Sequence, residues 1–429
     1  MLAAGLAVAQ PNAALAGNDE GVLIGDLASV IGGAVTAVTS NGAALWYNPA
    51  GVVQGAENTL DVSVTAYTLR LGSTPALLSS ADGATANGDT RDFTIIPAAV
   101  TYVRRIGSNT RFAFGIFQPN SVDSTVSASL LTEGDQPSRW EGTVRENLSE
   151  THVLLGVGIR LHETLNLGVA LNAYFVSLDR TGRFDGSRVG DPSTFFSYAG
   201  TRARSAFGAT AAVGIQWRPH PRLALGLSFR APGTVFLAST QIDEFTTTSA
   251  DGNLDSERVE LDRTDHLDLL YPARVRFGVA YTSTNWIVSA DFDAQHQLTN
   301  ESLNVERSAL YNVRAGVQRR LGDHFTIGGG FFTDRSPWRP RGEFLDRRID
   351  YYGGSFGISF DSDRLLDENV EDVGRLTFGT TIALRYAYGT GQIVGGQVSE
   401  TFAPGNTVVT LVDHTEHELG INVAARFQF

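Results

Sequence analysis

The chain has 429 residues, a formal net charge of -13, no cysteine and only 18% charged residues, set against 46 glycines. Without cysteine there is no disulfide framework, thiolate metal site or cysteine nucleophile, and with all 33 basic residues arginine in an acidic chain a nucleic-acid partner is disfavoured, because phosphates call for clustered positive charge. No apolar run reaches the roughly 18 residues of a membrane-spanning helix, yet the mean hydropathy of -0.06 fits a membrane barrel, whose strands turn only alternate residues to lipid.

Residues 1–16 read as the remnant of a secretory signal peptide. Leu2 to Ala9 is apolar, Gln10-Pro11-Asn12 interrupts it, and Ala14-Leu15-Ala16 gives a small-x-small cleavage pattern before Gly17. No charge precedes Asp19, so the usual positive start of such a signal is missing. Residues 17–57 form a second unit, rich in Gly, Ala and Ser and without alternation. Val22, Leu23, Ile24, Leu27, Val30, Ile31, Leu45, Trp46 and Tyr47 would be exposed without purpose in a surface linker. The segment precedes an outward-running strand, so it is expected to fold back into a barrel lumen as a plug, turning at Asn48-Pro49.

From residue 58 to 429 the period is two. In 165–175, Leu165, Leu167, Val169, Leu171, Ala173 and Phe175 alternate with Asn166, Gly168, Ala170, Asn172 and Tyr174. The same holds for Ala273 to Tyr281, and for Leu419 to Phe429. Such segments are strands with one apolar face. The other face mixes Gly and Ala with Arg, Asn and Asp, which suits a barrel interior better than the water-facing side of a sandwich. Fourteen segments are expected, near 58–72, 92–105, 110–119, 148–161, 165–181, 203–217, 223–231, 272–282, 286–298, 309–321, 325–334, 350–360, 374–389 and 416–429. Their connections alternate: short at 106–109, 161–164, 218–222, 283–285 and 322–324, with a longer acidic one at 361–373. The connections between these are long, at 73–91, 120–147, 182–202, 232–271, 299–308, 335–349 and 390–415. Short periplasmic turns and long outer loops mark an outer-membrane barrel, and place both chain ends in the periplasm. The expected fold is all-β: a transmembrane antiparallel barrel of about fourteen strands with an N-terminal plug in its lumen.

Ala44-Leu45-Trp46-Tyr47-Asn48-Pro49-Ala50-Gly51 resembles the hatch of the outer-membrane long-chain fatty acid and aromatic hydrocarbon transporter family. Tyr271-Pro272-Ala273-Arg274-Val275-Arg276-Phe277-Gly278 with Trp286 after it, Gly328 to Pro337, and the final strand agree in order. The resemblance implies passive uptake of a hydrophobic small molecule from outer loops to a lumenal pocket beside the hatch. Release is then sideways into outer-membrane lipid, where the third strand is kinked. It makes Trp46, Tyr47, Asn48, Pro49, Ala50 and Gly51 the ligand-gating hatch. It also places the kink at Gly115 or Pro119, and reads Phe429, at the end of the last strand, as the signal for the barrel assembly machinery. In the loop 120–147 only Val122, Val126, Leu130, Leu131 and Trp140 could anchor a greasy ligand.

Inward charges come next: Arg160, Arg230, Arg274, Arg276, Asp291, Asp293, Arg314, Arg320 and Arg426. Lumenal charge must be paired or hydrated. Either these form Arg–Asp ladders between plug and wall, or one of Arg274, Arg276 and Arg314 meets a ligand carboxylate. Gly353-Gly354-Ser355-Phe356-Gly357 matches a nucleophile-elbow pattern but lacks the following helix, so no enzyme is expected. His414-Thr415-Glu416-His417 has no metal-site spacing and reads as the solvated base of an outer loop. The acidic run around Glu368 reads as a solvated turn rather than a calcium loop. No metal or cofactor is expected, and the barrel is expected to act as a monomer. An open diffusion porin is the alternative, and a structural or adhesive barrel a more distant one.

Overall fold

The computed structural model describes residue 18 and residues 21–55, 58–133, 136–250, 253–265, 268–300, 305–340, 344–363, 377–398 and 408–429. The expected signal remnant at 1–16 and most of the acidic turn, including Glu368, lie outside the described residues.

After two short helices, α1 (Asp26–Val30) and α2 (Ala44–Tyr47), and a 3-10 turn (Pro49–Gln54), the chain is strand almost throughout. The strands are β1 (Asn58–Ser80), β2 (Thr85–Arg105), β3 (Thr110–Leu131), β4 (Ser138–His162), β5 (Leu165–Arg188), β6 (Asp191–His220) and β7 (Leu223–Arg230). There follow β8 (Gly233–Ala250), β9 (Asn253–Asp265), β10 (Asp268–Tyr271), β11 (Arg274–Thr282), β12 (Trp286–Gln295), β13 (Leu298–Asn300) and β14 (Val305–Arg307). The last are β15 (Leu310–Leu321), β16 (Phe325–Asp334), β17 (Arg347–Asp363), β18 (Thr377–Val398) and β19 (Val408–Gln428).

Antiparallel pairing runs β1 through β7, then to β11, β12, β15, β16, β17, β18 and β19, and β19 pairs back onto β1. These fourteen strands therefore close into a barrel. Each of the fourteen alternating segments lies largely within one strand of this ring. The remaining strands correct the sequence reading: β8, β9 and β10 fill the link expected as a loop at 232–271, and β13 and β14 make a separate hairpin.

A second correction concerns strand length. The connections 73–91, 120–147 and 182–202 are mostly continued strand, and β4, β5 and β6 run to 25, 24 and 30 residues. About 9–11 residues cross a bilayer, so these strands stand well clear of the outer surface. Further round the ring β7, which neighbours β6, and β11, β12 and β16 have only 8, 9, 10 and 10 residues.

Around the membrane-crossing zone the alternation is as read. Val169, Leu171, Phe277 and Ile382 are 55%, 66%, 47% and 55% exposed, whereas Ala170, Ala280 and Ala383 are buried. An apolar belt of this extent has lipid as its solvent. No helix among the described residues is long and apolar enough to span a membrane. At the C-terminus, Phe429 is exposed and its backbone N–H donates to the Asn58 carbonyl at 3.1 Å, which ties the two ends of the barrel wall together.

Candidate functional site: the plugged lumen

The plug fills the lumen near the short turns. Ile24, Ile31, Val35, Leu45, Trp46, Tyr47 and Val52 form one buried cluster with the wall residues Ala99, Val103, Ala113, Phe117, Leu154, Ala170 and Ala383. The inward glycines of the wall explain how closely the two fit. A Cβ at Gly168 would collide with the backbone of Pro49 and Ala50, and one at Gly214 with the Asn48 side chain. Gly226, Gly316 and Gly330 likewise lie against the plug backbone at Thr36, Ile31 and Gly32. The small inward residues seen in the sequence are thus a seat, and the lumen at this level holds protein rather than water.

Asn48 is the centre of that seat. It is fully buried, caps the 3-10 turn by accepting from Ala50 N–H, and donates from Nδ2 to the carbonyls of Thr36 at 2.9 Å and Ile215 at 3.0 Å. One side chain thereby joins two stretches of plug to β6. Other pins surround it. Asp291 accepts from the Thr36 N–H at 2.8 Å and from its hydroxyl at 2.7 Å. Ser355, the centre of the nucleophile-like pattern, accepts from Gly32 N–H at 2.8 Å and donates to the Val30 carbonyl at 2.9 Å. Its strand continues unbroken, so that serine holds the plug. Arg426 contacts Asp26 of α1 and donates to Asp61 at 3.2 Å.

Of the candidate carboxylate partners, Arg274 and Arg276 are both buried and both face Asp293, with Nε to oxygen distances of 2.8 and 3.3 Å. Arg276 also donates to the Trp46 carbonyl at 3.1 Å, as does Arg230 at 3.0 Å, and the Arg230 guanidinium lies 4.3 Å over the Trp46 ring. Arg314 is buried too, with its aliphatic stem against Gly33. This is the ladder arrangement: Arg274 and Arg276 are spent on Asp293 and the hatch. Arg160 and Arg320 keep the inward parity of their strands, with Ile159 and Leu321 turned outward, but both are exposed where those strands run into the short turns.

Above the plug lies a charged layer that the sequence reading missed. Arg70 reaches Glu418 at 2.7 Å and Asp92 at 3.0 Å, Arg385 contacts Glu418, and Arg347 lies 3.3 Å from Glu146. Tyr351 donates to Glu416 at 2.7 Å. His414 and Glu416 belong here, contrary to the expected solvated loop. They are 0% and 1% exposed on β19, with His414 2.7 Å from the Thr74 hydroxyl and 3.3 Å from Glu416. Glu416 and Glu418 fall within the expected last segment 416–429, where parity places them inward; only His414 lies before its expected start. Further out, Leu78, Val126, Leu130, Trp140, Phe196 and Ile393 form an apolar cluster inside the tall strands. Val122, Val126, Leu130 and Trp140 are buried, while Leu131 is 54% exposed and points away.

The wall is interrupted at one place. β2 and β3 pair over 99–105 with 111–117 and again over 89–92 with 124–127, and nothing pairs in between. The β3–β4 register shifts between Phe117 and Asn120 at the same level. Gly115 keeps regular partners on both sides, Thr101 and Leu154, so the irregularity is not there. It falls at Gln118-Pro119, opposite Pro97 of β2, and each proline removes a ladder donor. Inside the break lies the start of the plug. Val22 N–H donates to the Pro119 carbonyl at 3.1 Å, Asn120 donates to the Asn18 carbonyl at 3.0 Å, and Val22 packs on Ile96 and Ala98.

Solved structures share this architecture. One is a FadL homologue from Pseudomonas aeruginosa, at TM-score 0.66 and 12% identity, covering 96% of this chain and 100% of that one. The P. putida toluene transporter TodX aligns at TM-score 0.60 and 14% identity, over 95% of this chain and 98% of its own. The Ralstonia pickettii toluene transporter TbuX gives 0.55 and 14%, over the same shares of 95% and 98%. At such identities the likeness is one of fold. No family model matches the sequence, and no curated protein matches it either.

Proposed function

We propose that the chain is an outer-membrane channel of a Gram-negative bacterium, carrying hydrophobic small molecules inward by passive diffusion. The observation that carries this reading is the combination of a plugged lumen with a break in the wall beside the plug. A water-filled porin needs an open lumen and an unbroken wall. Here a molecule gathered by the apolar cluster within the tall strands has a way out toward lipid between Pro97 and Pro119, behind Asn18 and Val22. Trp46 to Gly51 then form the hatch, whose small neighbours allow the modest rearrangement that gating requires. TodX and TbuX, which have this fold, are described as toluene transporters, and that supports an apolar cargo for this one. No role for an ionised cargo is assigned to Arg274 or Arg276, which Asp293 already engages. The barrel is proposed to work as a monomer and to be inserted by the barrel assembly machinery through the strand ending at Phe429.

Conductance and uptake together test the reading. The intact protein in planar bilayers is expected to show little steady conductance, and a variant lacking residues 21–50 a large one. Cells expressing the intact protein are expected to take up toluene faster than cells without it. A large steady conductance of the intact protein, with no gain in toluene uptake, would favour the porin.

A further inference from the structure

A cavity of about 420 Å³, counting the part open to solvent, lies over the Trp46 end of the hatch. Its walls include Trp46, His152, Gln295, Glu150, Tyr271 and Arg230. The Trp46 and His152 rings meet edge to face at 5.2 Å, and the Tyr271 ring stands 6.2 Å from His152, so much of the wall is aromatic.

Three buried polar atoms of this wall have no hydrogen-bond partner among the described residues: Trp46 Nε1, His152 Nε2 and Gln295 Oε1. Their side chains belong to residues only 4%, 3% and 5% exposed. Buried donors and acceptors are rarely left unmade, and each costs on the order of tenfold in an equilibrium constant. His152 is held in place by Asn172, whose amide lies 3.0 Å from Nδ1, which fixes the position of Nε2, 3.7 Å from Glu150 Oε2 and beyond hydrogen-bond reach. The charges around the cavity are in a different condition. Glu150 accepts from the Tyr271 hydroxyl at 3.1 Å, Arg274 is bound to Asp293 at 2.8 Å, and Arg230 donates to the Trp46 carbonyl at 3.0 Å.

From these groups we infer that the cavity takes a small neutral molecule with a hydroxyl on an apolar ring, a phenol rather than a bare hydrocarbon or a carboxylate. Its oxygen accepts from the Trp46 indole N–H, and its hydroxyl proton goes to Gln295 Oε1 or His152 Nε2. Its ring packs on the aromatic wall. A hydrocarbon of the same shape leaves all three polar atoms unmet. An ionised ligand finds its countercharges already engaged and meets Glu150. This inference rests on the transport reading, whose cargo class it narrows.

The test is equilibrium dialysis of the purified full chain in detergent against labelled toluene, p-cresol and benzoate at pH 7, with protein-free micelles subtracted. Saturable p-cresol binding about tenfold tighter than toluene is expected, with benzoate no better than toluene. Gln295→Leu and His152→Phe should each weaken p-cresol binding toward the toluene value of the unaltered protein, in protein that keeps its heat-modifiable gel mobility. Toluene binding as tight as p-cresol, or benzoate displacing p-cresol, overturns the inference and leaves transport of apolar molecules standing. No saturable binding of any probe also overturns it. Should toluene uptake by cells be absent as well, the transport reading falls with it. If the variants do not fold, the comparison of the three probes on the unaltered protein still decides.

Discussion

The lumen has two levels built on opposite principles. Near the short turns, glycine and alanine of the wall receive the plug backbone, and contact is dry and close. Above it, the buried Arg70, Arg385, Glu416 and Glu418 and the half-buried Arg347 make an ionic layer around a space of about 540 Å³, counting the part open to solvent. The lower level gains from removing water, and every methyl group there is felt. The upper level holds charges that need one another, since an unpaired charge away from water is costly. An inward position therefore has no single meaning in this barrel. At one height it demands a small side chain, and at another a partner.

Removal of one partner from the arginine ladder should have the largest effect. Asp293→Ala leaves Arg274 and Arg276 facing each other in the interior, at a cost of about 3–5 kcal/mol, and the folded fraction on heat-modifiability gels should fall sharply. Next is Arg at Val279 on the lipid face, costing about 2–4 kcal/mol near the bilayer midplane and lowering membrane assembly. A hydrated lumen would make Arg at the neighbouring Ala280 much milder. The structure packs Ala280 against Ala37 and Ala224 of plug and wall, so damage there is expected too. The two should separate once the plug is deleted: Ala280→Arg recovers and Val279→Arg does not. Equal recovery would break the assigned register.

Asn48→Ala sharpens the comparison at the level of the plug. It removes the cap and both carbonyl contacts, at about 1–3 kcal/mol, and should raise steady conductance without loss of the barrel. Unchanged conductance would mean that the hatch is held without it. The smallest effect concerns the outer extension. Arg258 hydrogen-bonds Asp243 at 2.9 Å and holds its carboxyl below the usual range. A carboxyl depressed in this way stabilises the fold above the ordinary Asp value of about 3.9, and that contribution is lost as pH falls through the folded value. Amide exchange in β8 and β9 should quicken only in strong acid, and the Asp243→Asn protein should not show this acid step.

The same contrast accounts for what could be read from sequence. Membrane-crossing strands such as Leu165–Phe175 display their period because one face meets lipid. The strands β8 and β9 mix stretches polar on both faces, such as Thr246-Thr247-Thr248 and Asp255-Ser256-Glu257, with the continuous apolar run Val235-Phe236-Leu237, and so carry no such period. The hatch was legible through Asn48-Pro49, whose backbone restriction is local. The break at Pro119 was half legible, because its counterpart Pro97 sits on another strand and only the register places them opposite. Arg385 and Glu418 lie in the expected segments 374–389 and 416–429 but were unreadable as a pair, since nothing in the sequence gives the register that sets Arg385 opposite Gly420 and Glu418 opposite Ala387.

The most direct measurement concerns the start of the plug and the break it covers. The chain has no native cysteine, and Val22 packs on Ile96, so Val22→Cys with Ile96→Cys can be oxidised cleanly in the folded protein. If molecules leave sideways past Val22, toluene uptake should stop on oxidation and return on reduction, with each single variant insensitive. Uptake that continues at the unaltered rate in fully crosslinked protein would show that the cargo leaves by another way.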